Sequence, residues 1–401
     1  MQDGFKIMKE KIIILTYSLG GAGAERIAAN LLNNLDRNKY EIILVLMNTD
    51  IEYDILPNQT IHFIEKSYRY EKEWRKFIKL PFLGRRFAMY SNKENVKLVL
   101  AIMNRPNLVA CFAKVFGIKA RVLISERCYT PYTYNKQSLA GKIKVALLKW
   151  AYPKADAILP NSKGTVEALQ QYYNIHSDFT VVKNPTDIQR IKNSMDAPVE
   201  GLFDTGKFTF INVATFRHEK NQEMLIDAVA GLHNFDFQLI LIGKGPTLEP
   251  LQQKVKTLGL SNKIIFVNFT DNPYRYMAKS DCFLLSSFSE GFPNVLIESL
   301  VCALPMISVD CKTGPRELLA PATDLNTTIK DGDFEIATYG ILTAPGSLAS
   351  MQAAMQWALQ NSDKLKAYKP LLPHVAQAYE MQKVCTDFSA IFDKYLNQNK
   401  E

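Results

Sequence analysis

The sequence predicts an α/β fold in which two doubly wound domains follow one another along the chain. Short apolar strand patterns alternate with segments long enough to be helices, and the alternation restarts after residues 183–187. Such alternation is typical of parallel sheets with helices on both faces. Because the Asn184-Pro185 pair disfavours a continuing helix, we place the domain boundary at Pro185.

The first domain is predicted over residues 1–185. Its opening strand, 11–17, leads through a glycine-rich turn into a helical run at 24–35. Further strand patterns follow at 41–47, 98–103, 121–125 and 157–160.

The second domain is predicted over residues 186–375. Its strand patterns lie at 208–214, 237–242, 264–269, 282–286 and 304–309, with helices such as 222–232 and 247–258 between them. A closing helical segment, 376–401, can pack back on the first domain.

The composition fits a soluble globular protein of two or three domains, since 47% of the 401 residues are apolar and 22% are charged. No apolar run reaches the roughly 18 residues of a spanning helix, and no leader precedes the first strand, so we expect a cytoplasmic protein. The six cysteines lack metal or disulfide spacing and are interpreted as reduced, mostly buried thiols. No Asp-x-Asp ends a predicted strand, so we expect no divalent metal.

Charge is distributed unevenly between the two domains. Residues 1–185 hold 28 Lys and Arg against 16 Asp and Glu, whereas residues 186–401 hold 20 against 24. Ten of the basic residues lie between Lys66 and Lys97, interleaved with seven aromatic residues. Cations beside aromatic rings favour a surface against anionic lipid headgroups, at roughly 1 kcal/mol per cation near the bilayer. The alternative is an ordinary solvated helix whose aromatic side chains face the core. The candidate contacts with the membrane surface and an anionic acceptor are Arg69, Lys72, Arg75, Lys76 and Lys79.

The most informative stretch is Ser-Glu-Gly-Phe-Pro-Asn-Val-Leu-Ile-Glu-Ser-Leu at 289–300, which follows a predicted strand and opens a helix. Pro293 suits the first helical position, so the N–H groups and the dipole of the helix start would face an anion. Glu290 lies just ahead of the helix and Glu298 more than a turn inside it, so the two carboxylates can bind hydroxyls at opposite ends of a ligand. The alternative is a pair of surface side chains.

The residues between the two glutamates favour the first interpretation. With Gly-Phe-Pro-Asn-Val-Leu-Ile between Glu290 and Glu298, the chain resembles the family 4 retaining glycosyltransferases, whose hallmark is a Glu, seven residues and a second Glu in a strand-loop-helix setting. The resemblance implies a GT-B fold, in which two Rossmann-like domains face each other across a cleft. It also implies that Glu290 is a catalytic residue that holds the donor sugar's hydroxyls, and that Glu298 holds the nucleotide ribose. The implied donor contacts of the same segment are Gly291, Phe292, Pro293, Asn294 and Val295.

Further donor contacts are implied in both domains. Members of the family usually carry Gly-Arg-Leu after the first strand of the second domain and a Lys five residues after that Arg. Lys220 matches the Lys, Thr215 stands at the Arg position, and Arg217 can supply the charge from a shifted position. Two cations there would clamp a leaving diphosphate; the alternative is that both are surface charges. Gly20 and Gly23 belong to a loop resembling the family's N-terminal glycine loop. The residues that correspond to the nucleotide-base site are Gly243, Asn268, Phe269 and Thr270.

The segment Ile-Ser-Glu-Arg-Cys-Tyr-Thr-Pro-Tyr at 124–132 follows a predicted strand and is expected to face the same cleft. The family often places a His near the position of Arg127, close to the reacting carbon, and this chain has none there. Glu126 and Arg127 are therefore the candidates for the catalytic centre. The alternative is that these two side chains form a structural ion pair.

The resemblance implies a metal-independent transferase that moves a sugar from a nucleotide diphosphate to a membrane-anchored acceptor. The best candidate donor is UDP-N-acetylgalactosamine, transferred in α linkage to an undecaprenyl-diphosphate-linked glycan at the cytoplasmic face of the inner membrane, in glycoprotein or polysaccharide biosynthesis. Three alternatives stay open: another UDP-hexose in lipopolysaccharide or capsule assembly, an epimerase or hydrolase with the same cleft, and a nucleic-acid-binding protein that uses the basic first domain. The last leaves Glu290 and Glu298 unexplained, so no nucleic-acid partner is expected.

Overall fold

The computed structural model describes residues 9–21, 23–65, 73–133, 137–199, 201 and 206–397. The chain forms two compact units, the first spanning Met1–Pro185 and Met381–Glu401 and the second spanning Thr186–Glu380. Each unit contains one predominantly parallel sheet together with helices, so the predicted α/β fold with two Rossmann-like domains is confirmed.

The first unit is built on a six-stranded parallel sheet with strand order β3-β2-β1-β4-β5-β6. The strands are β1 (Glu10–Thr16), β2 (Tyr40–Leu46), β3 (Thr60–Phe63), β4 (Leu98–Ile102), β5 (Arg121–Glu126) and β6 (Ala157–Pro160). The helices before residue 186 are α1 (Gly23–Asn34), α2 (Glu73–Ile78), α3 (Leu80–Lys93), α4 (Asn104–Val115), α5 (Thr130–Thr133), α6 (Leu139–Ala151) and α7 (Lys163–Glu167). Two apolar clusters divide the buried side chains of this unit, as expected for a sheet that is covered on both faces.

The second unit is built on a seven-stranded sheet with strand order β12-β13-β11-β10-β7-β8-β9, in which the β12–β13 pair is antiparallel and the other pairs are parallel. The strands are β7 (Phe208–Val213), β8 (Phe237–Gly243), β9 (Ile264–Asn268), β10 (Cys282–Leu285), β11 (Met306–Val309), β12 (Phe334–Ala337) and β13 (Gly340–Thr343). The helices are α8 (Ile188–Met195), α9 (Gln222–Gly231), α10 (Leu248–Thr257), α11 (Tyr274–Met277), α12 (Asn294–Val301), α13 (Pro315–Leu319), α14 (Leu348–Gln360), α15 (Ser362–Lys366) and α16 (Leu372–Ala376).

The final helix, α17 (Met381–Asn397), belongs to the first unit, where Phe388 and Phe392 are fully buried. The predicted closing segment began at residue 376, and the structure differs there. Residues 376–380 stay with the second unit because Ala376 and Tyr379 are buried in its core. In addition, the Thr186 N–H donates a hydrogen bond of 2.8 Å to the Tyr379 carbonyl.

Three strands, β3, β12 and β13, were not predicted.

Among the described residues, no helix is both long and apolar enough to cross a bilayer. All six cysteines are free thiols, and five of them are buried.

Candidate active site

The geometric centre of the candidate site in the second unit is an ion pair between Lys220 and Glu290. Lys220 ends a short 3₁₀ turn (His218–Lys220) that follows β7, and Glu290 lies in the loop between β10 and α12. The Lys220 Nζ lies 2.6 Å from the Glu290 Oε1, and both side chains are mostly buried. Burial lowers the pKa of Lys220, but the charge and hydrogen bond of Glu290 outweigh this effect and raise the pKa above its ordinary value. The lysine is therefore a fixed cation beside a carboxylate.

Two hydrogen bonds fasten the 3₁₀ turn to the loop after β10. The Ser286 hydroxyl donates to the Lys220 carbonyl at 2.8 Å. The Phe288 N–H donates to the Glu219 carbonyl at 2.9 Å. β7 and β10 are neighbours in the sheet, so their following segments emerge side by side at the carboxyl edge.

The loop between β11 and α13 supports Glu290 from a third strand. The Thr313 hydroxyl donates a hydrogen bond to the Glu290 carbonyl. Gly314 has a φ of +89°, and a Cβ at this position would lie 2.7 Å from the Pro293 Cδ. Only glycine fits there, because a side chain would be both strained and in collision with the Glu290 loop.

Helix α12 begins at Asn294, one residue later than predicted. Pro293 is the N-cap, with extended backbone at φ −72° and ψ 110°, and its carbonyl accepts the Leu296 N–H at 3.1 Å. The predicted first helical position for Pro293 was therefore wrong, since the ring's fixed φ suits extended backbone equally well. The positive end of the helix dipole still lies beside the Glu290 loop, where it favours an anion.

Glu298 lies within α12 and is buried. The Tyr274 hydroxyl lies 3.4 Å from its Oε1 as a hydrogen-bond donor. The Tyr274 ring is also buried and belongs to the apolar core of the unit. Because the Tyr274 ring is anchored in the core, its hydroxyl fixes the position of the Glu298 carboxylate.

The strand ends of β8 and β9 carry the predicted base-binding residues. Gly243 and Asn268 are register partners at these ends. A Cβ on Gly243 would lie only 2.0 Å from the Ala214 carbonyl oxygen. Position 243 therefore requires glycine, because the backbone after β7 passes too close for a side chain. Phe269 is exposed, and the Lys244 Nζ lies 4.2 Å from its ring centroid. The ring leaves an accessible face against which a base can stack.

The remaining residues of the predicted donor site lie within the same loops. The Thr270 hydroxyl accepts the Asn272 N–H at 3.2 Å. The Arg217 guanidinium is exposed and lies 3.9 Å from the Glu219 Oε1. The cation that pairs with Glu290 is Lys220, so the second cation of the clamp stays a prediction. Gly291, Phe292 and Val295 occupy the loop and the first turn of α12.

The glycine loop of the first unit connects β1 to α1. Gly21 has a φ of +96°, so glycine is needed there, whereas Gly20 has ordinary backbone and Gly23 begins α1. The Leu19 N–H donates to the Asp50 carbonyl at 2.9 Å, which ties the loop to the segment after β2. The sequence indicated the loop correctly but did not identify the glycine with the special conformation.

Glu126 is completely buried at the end of β5. The Tyr152 hydroxyl donates to its Oε2 at 2.6 Å, and the Arg127 N–H donates to its Oε1 at 3.1 Å. Burial raises the pKa of Glu126, although the hydrogen bonds from Tyr152, Cys128 and the backbone act in the opposite direction.

Arg127 is also buried, and its side chain connects the end of β5 to residues 182 and 184 of the first unit. Its Nε donates to the Ser125 hydroxyl at 2.7 Å, and its Nη1 donates to the Val182 carbonyl and the Asn184 Oδ1 at 3.1 and 3.0 Å. The Phe388 ring of α17 lies 5.7 Å away. Burial lowers the pKa of Arg127 to about 9, so the guanidinium stays charged at neutral pH. These are the contacts of an internal framework, and a role at the reacting carbon stays a prediction for both residues.

The predicted basic segment forms α2 and α3, with Arg69 and Lys72 outside the described residues. Lys79 lies 3.2 Å from the Glu65 Oε1, while Arg75 stacks near the Trp74 ring. The structure divides the aromatic residues of this segment between the core and the surface, and the contact with lipid headgroups stays a prediction. The buried or half-buried ones are Phe77, Phe87 and Tyr90, whereas the exposed ones are Trp74 and Phe82. Phe82 is 75% exposed, so an apolar surface lies beside the cations.

Sequence reasoning missed a buried charge network behind the Glu290 loop. The Arg316 guanidinium donates to Asp310 through Nε at 2.8 Å, to Glu335 of β12 through Nη2 at 2.9 Å and to the Thr323 hydroxyl through Nη1 at 3.0 Å. Asp310 and Arg316 flank the segment that carries Thr313 and Gly314. The only sequence signal was a Thr-Gly-Pro turn after an apolar strand, and nothing in the sequence linked it to Glu335.

We expect Arg316→Ala to lower the free energy of unfolding by about 3 kcal/mol and to reduce activity, because two carboxylates lose their buried partner. Thermal unfolding and turnover measure these two effects. Glu335→Gln is the milder variant, since it keeps the Asp310–Arg316 pair, and it should reduce turnover by only a few-fold. Wild-type stability in Arg316→Ala would contradict the role of the network.

Comparison with known proteins gives two family models that together span most of the chain. The family described as "Glycosyltransferase Family 4" matches residues 21–190, and "Glycosyl transferases group 1" matches residues 195–370. The chain is 36% identical over 380 residues to a Campylobacter jejuni protein, N-acetylgalactosamine-N,N'-diacetylbacillosaminyl-diphospho-undecaprenol 4-alpha-N-acetylgalactosaminyltransferase. The match covers 94% of this chain and 98% of that protein.

Other relatives are more distant. A second Campylobacter jejuni protein, GalNAc-alpha-(1->4)-GalNAc-alpha-(1->3)-diNAcBac-PP-undecaprenol alpha-1,4-N-acetyl-D-galactosaminyltransferase, is 26% identical, over 78% of this chain and 82% of that protein. Among solved structures, Anabaena HepE in complex with UDP superimposes with a TM-score of 0.71 at 17% identity, over 96% of this chain and all of that one. Sucrose-phosphate synthase from Thermosynechococcus elongatus superimposes with a TM-score of 0.77 at 15% identity, over 96% of this chain and 99% of that one.

Proposed function

The chain belongs to the family 4 glycosyltransferases, and we propose that it transfers N-acetylgalactosamine from UDP-N-acetylgalactosamine, with retained α configuration, to an undecaprenyl-diphosphate-linked glycan. The observation that carries the proposal is the Lys220–Glu290 pair beside the start of α12. The acceptor class is supported by the Campylobacter jejuni relative, which matches the chain almost end to end and acts on such a lipid. Glycosyl transfer by this chain follows from the family, so the basic charge of the first unit does not require a nucleic-acid partner.

The donor residues act on opposite ends of the nucleotide sugar. Lys220 and the positive end of the α12 dipole bind the diphosphate, where charge accumulates as UDP leaves. Glu290 accepts hydrogen bonds from the sugar hydroxyls, and Glu298 accepts them from the ribose. Phe269 stacks on the uracil, in keeping with its exposed ring at the end of β9.

Transfer exchanges one bond at the anomeric carbon for another. The acceptor hydroxyl attacks on the face from which the diphosphate departs, so the new glycosidic C–O bond forms as the C–O bond to the β-phosphate breaks. The β-phosphate takes the proton of the hydroxyl, and UDP leaves. Lys220 already holds a buried carboxylate, so its charge is oriented before the donor arrives and needs little reorganisation in the transition state. We propose that the charge of Lys220 stabilises the leaving diphosphate. The enzyme should therefore still transfer sugar in the presence of EDTA.

The acceptor diphosphate is proposed to bind along α2 and α3, at the membrane surface on the cytoplasmic side. Support comes from the six Lys and Arg residues between 73 and 93 and from the exposed rings of Trp74 and Phe82 among them. Cations attract the diphosphate and anionic headgroups, while exposed rings suit the interfacial region of a bilayer.

We expect the triple variant Arg75→Ala, Lys76→Ala and Lys79→Ala to raise the KM for lipid-linked acceptor by about tenfold or more, since each cation contributes roughly 1 kcal/mol near the surface. UDP binding should change less than twofold, because Lys220, Glu298 and Phe269, which are proposed to bind UDP, lie in the other unit. Steady-state kinetics and calorimetry measure the two quantities.

The matched control removes three exposed lysines from the second unit, namely Lys256, Lys364 and Lys366. This control variant loses the same three positive charges as the α2–α3 variant, and its KM for the acceptor should equal that of wild type. Equal losses of donor binding and acceptor binding in the α2–α3 variant would contradict its proposed role.

The experiment that tests the proposed function is a transfer assay with purified protein and a synthetic undecaprenyl-diphosphate-linked glycan. UDP-N-acetylgalactosamine, UDP-N-acetylglucosamine, UDP-galactose and UDP-glucose are compared, and the product linkage is determined by NMR. An α-linked N-acetylgalactosamine product supports the proposal. Transfer from another UDP-hexose alone would assign the chain to a different glycan, and UDP release without any acceptor product would favour a hydrolase.

A further inference from the structure

Helix α6 carries an exposed apolar surface that the proposed donor and acceptor sites do not use. Gly141, Val145 and Leu148 form its buried face. On the opposite side, Leu139 is 76% exposed and Ile143 is 62% exposed, one helical turn apart. Trp150 is exposed at the far end of the same helix. Large apolar side chains grouped in this way usually mark a contact surface.

The charge of α6 has a single sign. Its sequence, Leu-Ala-Gly-Lys-Ile-Lys-Val-Ala-Leu-Leu-Lys-Trp-Ala, contains three lysines and no acidic residue. Lys142 and Lys149 are exposed and border the apolar side chains. An apolar stripe bordered by lysines is typical of helices that lie in the interface of an anionic bilayer.

Helix α6 packs beside α2 and α4, and α4 in turn packs on α3. The Lys144 Nζ of α6 lies 5.0 Å from the ring centroid of Phe77 in α2. Phe112 of α4 lies 5.2 Å from Trp150, measured between ring centroids. Gly84 of α3 packs so closely on α4 that a Cβ there would lie 2.4 Å from the Phe112 Cβ. Helices α2, α3, α4 and α6 therefore form one packed layer of the first unit.

We propose that α6 is a membrane-insertion helix, which buries Leu139 and Ile143 among the acyl chains of an anionic bilayer while Lys142 and Lys149 contact phosphate headgroups. The proposal rests on the proposed function, because a lipid-linked acceptor requires the enzyme at the bilayer surface. It adds a second apolar contact with the bilayer, on a helix outside the basic segment. With α6 inserted and α2–α3 beside it, the layer has two separate points of attachment to the same surface.

A second copy of the chain fits this surface less well than a bilayer does. A two-fold contact through α6 would bring the lysines of one copy towards those of the other, and α6 has no acidic side chain to pair with them. Like charges brought together in this way oppose association. An anionic lipid surface satisfies the lysines and the apolar side chains at once.

The test uses the full-length protein and vesicles of phosphatidylglycerol and phosphatidylcholine in equal parts, with phosphatidylcholine vesicles as reference. The variant Leu139→Glu/Ile143→Glu should reduce partitioning onto the anionic vesicles by at least about tenfold, because two carboxylates would enter the interface. The matched control, Leu258→Glu/Leu371→Glu, places the same charges at exposed leucines of the second unit and should partition within about twofold of wild type.

A second readout separates membrane insertion from catalysis. Transfer to a water-soluble acceptor diphosphate with a short alkyl chain should be unchanged in the α6 variant, whereas transfer to acceptor embedded in vesicles should fall with partitioning. Circular dichroism and thermal unfolding confirm that the variant is folded. Lys142→Ala/Lys149→Ala should weaken binding to anionic vesicles and leave the weak binding to phosphatidylcholine unchanged.

Three results would overturn the proposal: wild-type protein that does not bind the anionic vesicles, an α6 variant that binds them like wild type, or an α6 variant that converts a dimer to a monomer by sedimentation with vesicle binding intact. Failure of the proposed function looks different. In that case the wild-type protein transfers no sugar even to the soluble acceptor, while its partitioning onto vesicles still decides the role of α6.

Discussion

Replacement of Glu290 by glutamine is expected to reduce transfer by about a thousandfold or more, with the chain still folded. The variant keeps the shape of the side chain but loses the charge that orients Lys220 at 2.6 Å, and it replaces one of the two oxygens that accept hydrogen bonds from sugar hydroxyls with an NH₂ donor. Both losses act on the transition state, so kcat should fall much more than the affinity for UDP. Steady-state kinetics with saturating donor, together with calorimetric titration of UDP, measure the two effects.

The control for Glu290→Gln is Glu223→Gln. Glu223 also accepts a hydrogen bond from a lysine, Lys254, at 2.8 Å, but the pair is on the surface of the same unit. Its replacement should leave kcat within about twofold of wild type, as expected for an exposed ion pair. A Glu290→Gln enzyme with undiminished turnover would exclude the proposed role of this carboxylate.

Lys220→Met is expected to reduce kcat by about a hundredfold and to weaken UDP binding, because the diphosphate loses its buried cation. Methionine fills a similar volume, so the packing against the loop after β10 is largely kept. The variant leaves Glu290 without its counterion, and thermal unfolding should show a loss of about 1–3 kcal/mol.

Lys254→Met is the matched control for Lys220→Met. Lys254 pairs with Glu223 and Asp227 on the exposed side of α9 and α10, and its loss should change neither kinetic constant by more than about twofold. If Lys220→Met bound UDP and turned over like wild type, Lys220 would not be the cation that binds the diphosphate. Arg217 would then be the first candidate for that role.

The architecture could be predicted because parallel strands covered on both faces appear as short, nearly continuous apolar runs. β1 and β8 are such runs, and the strands that the sequence indicated are all present. β3 and β12 lie at sheet edges, where one neighbour and half-exposed side chains remove the apolar signal. β13 was missed for another reason, since its four buried residues are too few to distinguish from a loop.

The candidate donor site could be predicted only in part. Glu290, Lys220 and the start of α12 were indicated because each follows a strand in a segment that resembles the family pattern. The contacts of Thr313 and Gly314 with the Glu290 loop depend on which strands are neighbours, and a single sequence does not give this order. The same holds for Glu126 and Arg127, whose partners Tyr152, Val182 and Asn184 lie 26 to 57 residues along the chain.

The UDP-sugar site is tested most directly by calorimetric titration of the purified protein with UDP, ADP and GDP in the presence of EDTA. We expect one site per chain that binds UDP at least about tenfold more tightly than the two purine nucleotides, a difference of about 1.4 kcal/mol. Lys220→Met should weaken this binding. Equal binding of the three nucleotides, or no binding at all, would contradict the assignment of the Lys220–Glu290 loops as a UDP-sugar site.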